Sequence, residues 1–250
     1  YKKREVAMNL IVDIGNSRAK VVVMAASRIV REWVVEDVDN QLIDTIFKEY
    51  AIGRAIVAST RANEAEVAEL IRAKGTETII FSPATTAIPI SNDYHTPETL
   101  GADRLAAAVG AWAMYGDNDT MIVDFGTAIT IDYVVDGAFK GGNISPGVTT
   151  RFRALADYTA RLPRCYATEE VLDYGRTTRE AIEQGVMRGV EHEIRGYVEA
   201  FREKNEKNCI IFTGGDAKYF VKRIKNAIFA DCEPVVYGLS TILEYNAEKF

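Results

Sequence analysis

The apolar and polar positions of this chain fall into a pattern that occurs twice. Residues 10–23 read LIVDIGNSRAKVVV and residues 121–134 read MIVDFGTAITIDYV. Aligned on Asp13 and Asp124, each is an apolar run closed by Asp, one apolar residue, Gly, small hydroxyl or amide residues and a second β-rich run. Two such runs around a glycine-containing turn predict a β-hairpin. The same hairpin near the start and in the middle of the chain predicts a duplicated architecture.

Between and after the hairpins the period changes. Residues 41–50 and 63–74 read as helices, and 54–59 and 78–81 as strands. Thr96 followed by Pro97 is an N-cap with proline at the first helical position, so a helix is expected from there to about Tyr115. A polar break, GDND at 116–119, precedes the second hairpin. Then come a helix over 148–162 ended by Pro163 and a longer one from Thr177, where TTRE with Glu180 forms a capping box. A strand over 209–212, a TGGD turn, a helix over 217–225, a strand over 234–237 and a closing helix complete the chain. Helices alternating with strands predict helix-covered sheets and an α/β protein, divided at the polar break into subdomains 8–116 and 117–250. On the long helix Ile182, Val186, Val190, Ile194, Val198 and Phe201 form an apolar stripe, read either as a core face or as a subunit contact.

Composition narrows the function classes. With 250 residues the chain is long enough for one large domain or two modest ones. A net charge of −6 without a basic tract argues against a nucleic-acid partner. It leaves room for an anionic ligand, because backbone N–H groups and helix N-termini hold phosphate without a positive surface. The longest uncharged runs, 78–92 and 105–116, fall short of the roughly 20 apolar residues of a membrane span. Asp13 interrupts the first apolar stretch too early for a signal peptide. No membrane partner and a cytoplasmic location are therefore expected. Cys165, Cys209 and Cys232 lack CxxC spacing and read as reduced thiols. His95 and His192 show no metal-ligand spacing.

The chemistry sits in five clusters: DIGNS at 13–17, PETLGADR at 97–104, DFGTAITID at 124–132, GGNISPG at 141–147 and FTGGDA at 212–217. The turn glycines Gly15 and Gly126 leave backbone N–H groups bare for a phosphate. Each Asp at its strand end either faces a metal or nucleotide or simply bonds the turn amides. In this order, supported by TARLP at 159–163 and TTREAIEQG at 177–185, the clusters resemble type III pantothenate kinases over nearly the whole chain from Met8 onward. DxGN and TGG turns are shared across the superfamily of actin, sugar kinases and heat-shock chaperones; LGADR together with GGxIxPG is more specific.

The resemblance implies two duplicated actin-like (ribonuclease H-like) subdomains with an ATP cleft between them. It implies ATP-dependent phosphorylation of pantothenate to 4′-phosphopantothenate, the first step of coenzyme A biosynthesis. Composition and spacing alone stop at an ATP-dependent phosphotransferase. Another small-molecule kinase of the superfamily and a non-catalytic regulator that keeps the ATP fold are the rivals.

Phosphoryl transfer needs phosphates held, a divalent metal bridging them and an oriented hydroxyl. Ile14, Gly15, Asn16 and Ser17 (usually Thr in the family) supply N–H and side-chain donors, and Asp13 is a Mg²⁺ ligand, through water. Lys20 either adds positive charge beside the phosphates or sits on the solvated face of its strand. By resemblance Asp103 is the general base that accepts the proton of the attacking hydroxyl, with Tyr94, Gly101, Ala102 and Arg104 on the substrate. Asp124 binds a monovalent cation, K⁺ or NH₄⁺, while Thr127, Gly214 and Gly215 serve ATP. Thr178 reaches a substrate bound mainly by a neighbouring subunit, or else only caps its helix. A homodimer with shared substrate sites follows from that reading.

Overall fold

The computed structural model describes residues 8–61, 63–116, 118–225, 227–229 and 233–247. They form two compact units, one of Tyr1–Gly116 with Cys232–Phe250 and the other of Asp117–Asp231.

In the first unit five strands line up as β3-β2-β1-β4-β5, from β1 (Met8–Ile14), β2 (Ala19–Ala25), β3 (Arg28–Val35), β4 (Ile52–Ser59) and β5 (Glu77–Ile80). β1 is antiparallel to β2 and parallel to β4, and Asp13 lies opposite Lys20 in the hairpin register. Flanked on both edges, β1 is buried along almost its whole length, which is why LIV runs unbroken there instead of alternating. Leu10, Val12 and Ile14 pack into a core with Val57 of β4 and with Ile43 and Ile46 of helix α1 (Asn40–Glu49). Helix α2 (Glu64–Arg72) adds Val67 and Ile71 to the same core. A two-residue strand β6 (Ser91–Asn92) and a 3₁₀ turn (Pro97–Thr99) lead into α3 (Ala102–Tyr115).

The second unit repeats this plan. β7 (Asp119–Phe125), β8 (Ala128–Val135), β9 (Ala138–Pro146), β10 (Asn208–Thr213) and β11 (Ile228–Phe229) follow the order β11-β10-β7-β8-β9, with β7 antiparallel to β8 and parallel to β10. β1 and β7 share one burial pattern, residue for residue, and the sixth position of each is the half-buried Asp13 or Asp124. The duplication expected from two hairpins is thus a duplication of whole five-stranded sheets. Helices α4 (Val148–Asp157), α5 (Thr178–Lys204) and α6 (Ala217–Val221) cover this sheet. Phe125 stacks on Phe220 at 4.7 Å in its core. Thr177 caps α5 with both bonds of the capping box to Glu180.

Several expectations change. The strand expected over 234–237 is the first turn of helix α7 (Pro234–Ala247). Val235 and Val236 favour a strand locally, but burial overrides that preference, as β-propensity often yields to packing. Helix α7 also belongs to the first unit, packing along α3, so the closing helix leaves the subdomain 117–250 to which the sequence assigned it. Backbones meet at this crossing: a Cβ on Gly238 would lie 1.8 Å from the Ala106 carbonyl oxygen, and one on Gly110 would lie 1.9 Å from that of Pro234. Helix α3 starts at Ala102, not at Pro97, because Leu100 is extended and buried and Gly101 takes the N-cap. Helix α4 ends at Asp157, before Pro163, and α6 is only five residues long. Strands β3 and β9 were not expected: one is largely exposed and the other is rich in Gly and polar residues, so neither alternates cleanly. The apolar stripe of α5 is at most 7% exposed and packs with Met121, Val123 and Phe212 of its own unit. It is a core face and supplies no argument for a subunit contact.

Replacing Gly238 by Ala should lower the melting temperature by about 3–10 °C, the usual cost of overpacking in a chain of this size. Gly196→Ala on α5, where an added Cβ meets nothing within 4 Å, should leave it unchanged or raise it, because Ala is the better helix former. Thermal unfolding followed by circular dichroism checks both; equal behaviour of the two variants would remove the α3–α7 contact from the explanation.

Candidate active site

In the first unit, β1 ends by presenting Asp13, half-buried, just before a turn whose Asn16 and Ser17 are exposed. The turn is closed by the Gly15 N–H donating to the Arg18 carbonyl at 3.0 Å. Gly15 therefore spends its own N–H internally, and the donors left for a phosphate are those of Asn16 and Ser17. Behind the turn, Thr60 donates to the Ile14 carbonyl from both its N–H and its hydroxyl, and Arg61 Nε donates to the Gly15 carbonyl at 2.5 Å. Lys20 is committed elsewhere: its ammonium pairs with Glu32 at 3.6 Å and with Glu233.

The PETLGADR segment makes a second cluster in this unit. Gly101 caps α3, and a Cβ there would lie 2.5 Å from Asp103 Oδ1, so the glycine leaves room for the carboxylate to fold over the helix start. Asp103 Oδ1 accepts the Arg104 N–H at 2.8 Å. Helix N-termini favour a negative group, and this one sits on a helix start locked by α7. Ala102 and Arg104 are buried. The Arg104 guanidinium carbon lies 5.7 Å from the centroid of the Tyr94 ring, a cation–π distance. The structure thus brings Tyr94, Gly101, Asp103 and Arg104 together, while His95 is exposed beside them.

In the second unit Asp124 occupies the place of Asp13. Its turn is closed by the Gly126 N–H donating to the Ala128 carbonyl at 3.1 Å, and Thr127 is exposed at its tip. Three neighbours hold this turn. The Gly147 N–H and the Thr150 hydroxyl both donate to the Thr127 carbonyl, at 3.0 and 2.7 Å. The Asp216 N–H donates to the Phe125 carbonyl at 3.3 Å, the backbone role that Thr60 plays in the first unit. Gly214 has φ of +92° and would place a Cβ 2.3 Å from Asp124 Oδ1, so no other residue fits beside that carboxylate. Gly214 and Gly215 are exposed. Burial raises the Asp216 carboxyl pKa above its ordinary value. Thr178, exposed at the start of α5, borders a cavity of about 710 Å³ between α4 and α5, lined by Leu155, Tyr158 and Ile182 among others.

Sequence reasoning missed Thr60, Arg61 and Thr150, which act from behind the turns. The signal for the first two lay in the duplication: they follow β4 as the TGGD turn follows β10. Among the described residues no group of three His, Cys, Asp or Glu gathers as a metal site. A single carboxylate beside exposed donors, as at Asp13, could hold Mg²⁺ together with phosphates and water, a common mode for this ion. Cys165 and Cys209 are buried free thiols, and Cys232 lies outside the described residues.

The chain resembles solved structures of this architecture. One is the activator of the 2-hydroxyisocaproyl-CoA dehydratase from Clostridium difficile with bound ADPNP, at a TM-score of 0.55 and 13% identity over 97% of each chain. The twofold sheet order and the paired aspartates define an actin-like ATPase and sugar-kinase fold. The model of the type III pantothenate kinase family matches residues 9–200. The type III pantothenate kinase of Bacteroides fragilis strain YCH46 is 40% identical over 243 residues, covering 96% of this chain and 98% of that one. That of Phocaeicola vulgatus is 38% identical over 240 residues, covering 96% and 99%. This chain belongs to the type III pantothenate kinase family.

The raised Asp216 pKa gives a pH test of this turn. A carboxyl whose folded pKa lies above its unfolded value contributes stability below the unfolded pKa and loses it as pH rises through the folded pKa. Asp216→Asn, which cannot ionise, should therefore gain melting temperature over the parent at pH 7, and the gain should shrink toward pH 3. A difference independent of pH would show that the carboxyl is not desolvated.

Proposed function

We infer that this protein transfers the γ-phosphoryl group of ATP to the primary hydroxyl of pantothenate, giving 4′-phosphopantothenate in the first step of coenzyme A synthesis. The observation that carries the reading is family membership across nearly the whole chain. The meeting of Tyr94, Asp103 and Arg104 at the start of α3 supports it.

In this reading Ile14 and Gly15 only shape the turn, the donors of Asn16 and Ser17 serve the phosphates, and Thr127, Gly214 and Gly215 serve the rest of the nucleotide. Asp13 holds Mg²⁺ through water, and Asp124 holds K⁺ or NH₄⁺. When bound, the divalent ion offsets charge on the phosphate oxygens. Asp103 orients the pantothenate hydroxyl and accepts its proton as the phosphoryl group leaves ATP, and Arg104 and Tyr94 fix the rest of the acceptor. Lys20, already paired with two glutamates, contributes field at most. The working unit is a homodimer with shared substrate sites, in which Thr178 reaches the partner's substrate. That part rests on the family resemblance and on the exposure of Thr178, not on the buried stripe. The setting that belongs to this reading is the cytoplasm; no described helix is long and apolar enough to cross a membrane.

The test is transfer of ³²P from γ-labelled ATP with Mg²⁺ to pantothenate and to a panel of sugars and amino sugars. Labelled pantothenate alone is expected, with K⁺ or NH₄⁺ restoring activity that Na⁺ does not support. Asp103→Asn should keep the fold and nucleotide binding while lowering kcat by about 10²–10⁴. Label on a different acceptor, or on none, would overturn the assignment. Near-normal turnover by the folded Asn variant would remove Asp103 from the chemistry.

A further inference from the structure

We propose that Arg61 is a positioning residue for ATP, orienting the backbone of the first-unit phosphate turn. The inference rests on the reading that this turn binds the nucleotide.

The geometry starts from the planar trans peptide, in which the C=O and N–H of one peptide unit point in opposite directions. Arg61 Nε holds the Gly15 carbonyl at 2.5 Å. The N–H of the same peptide unit belongs to Asn16, so it must point away from Arg61, toward the exposed side of the turn. The preceding unit is fixed likewise. Its carbonyl, on Ile14, accepts from Thr60, and its N–H, on Gly15, donates to Arg18. Two consecutive peptide units are thereby locked, and the second presents a donor outward. A donor aimed before the ligand arrives costs no reorganisation when it binds, which is what makes fixed N–H groups effective against phosphate.

The guanidinium is itself anchored. Nη1 donates to the Glu36 carbonyl at 3.0 Å and to Asp37 Oδ1 at 3.1 Å, tying the β3–α1 connection to the turn. The Arg61 N–H donates to Ser59 Oγ, and that hydroxyl donates to Asn63. Nη2 is buried and has no hydrogen-bond partner among the described residues. An unpaired buried donor is costly to stability, so the residue is poorly explained by stability alone. Lys20 is ion-paired with Glu32 and Glu233, and Arg61 with Asp37, so Arg61 acts on the turn through its bond to the Gly15 carbonyl and not as a free charge. The second unit does this differently: a Cβ on Gly147 would lie 2.1 Å from the Gly126 carbonyl oxygen, so close backbone packing confines that carbonyl where Arg61 bonds its counterpart.

The experiment compares the parent protein with Arg61→Met, Arg61→Lys and Asp37→Asn. Readouts are KM for ATP, KM for pantothenate, melting temperature and binding of the non-hydrolysable analogue AMPPNP. The Met variant should raise KM for ATP and weaken AMPPNP about tenfold or more, the range of one hydrogen bond to a charged group, with KM for pantothenate within about twofold. The Lys variant, which keeps the charge and one donor, should recover part of the loss. Asp37→Asn leaves the Gly15 bond in place and should bind AMPPNP like the parent. A Met variant that binds AMPPNP as the parent does, or that weakens both substrates equally, overturns the proposal. Should the Met variant lose its cooperative unfolding transition, the Lys variant decides by the same split between ATP and pantothenate. A parent that binds no AMPPNP would instead refute the nucleotide reading of the turn itself.

Discussion

Backbone approaching backbone, closer than any side chain would permit, is the constraint on which this structure depends. In the first unit α3 and α7 meet at Gly110 and Gly238, where an added Cβ would fall within 2 Å of a carbonyl oxygen. The alanines of α3, among them Ala106, Ala107 and Ala111, continue the same smooth face. That contact fixes the axis of α3, and Asp103 is carried on its first turn. In the second unit Gly147 presses against the Gly126 and Thr127 backbone and Gly214 against Asp124 and the Phe125 backbone, so the turn is held largely by main chain. Functional side chains therefore sit on elements whose positions are set by missing side chains elsewhere. Dense packing leaves such contacts no slack.

The two repeats share a backbone and diverge in side chains. β1 and β7 bury the same positions and end in the same half-buried aspartate, yet Asp13 faces Lys20 across its hairpin whereas Asp124 faces Thr130. After the parallel strand that lies next to β1 or β7 in the sheet, β4 or β10, the chain bonds the carbonyl next to each aspartate, through Thr60 in one unit and Asp216 in the other. A duplicated scaffold thus carries two different charge environments.

Much of this was legible in the sequence, for identifiable reasons. The hairpins were readable because central strands buried on both faces give unbroken apolar runs closed by Asp-x-Gly. The start of α5 was readable because Thr177 and Glu180 make both capping-box bonds. Tyr94, Asp103 and Arg104 were marked by motif and do meet. What stayed hidden depends on contacts distant in sequence. Val235 and Val236 look like strand until they are seen buried in the first turn of α7. The start of α3 looks like Thr96-Pro97 until Leu100 is seen buried and extended. The α5 stripe has the same period whether it faces a sheet or a second subunit, and only the packing decides. Lys20 has the right charge at the right distance along the chain, but its partners come from residues 32 and 233. Arg61 lies 46 residues from the carbonyl it holds, beyond any local pattern.

The central claim is that both copies of the Asp-x-Gly turn serve the nucleotide while the start of α3 serves the acceptor. Hydrogen–deuterium exchange of the full chain tests this most directly, with and without AMPPNP and then pantothenate. AMPPNP should slow exchange at 14–18, at 125–128 and at 213–216, and pantothenate should add protection over 94–104. Protection confined to one of the two turns, or pantothenate protecting a region away from 94–104, would contradict it.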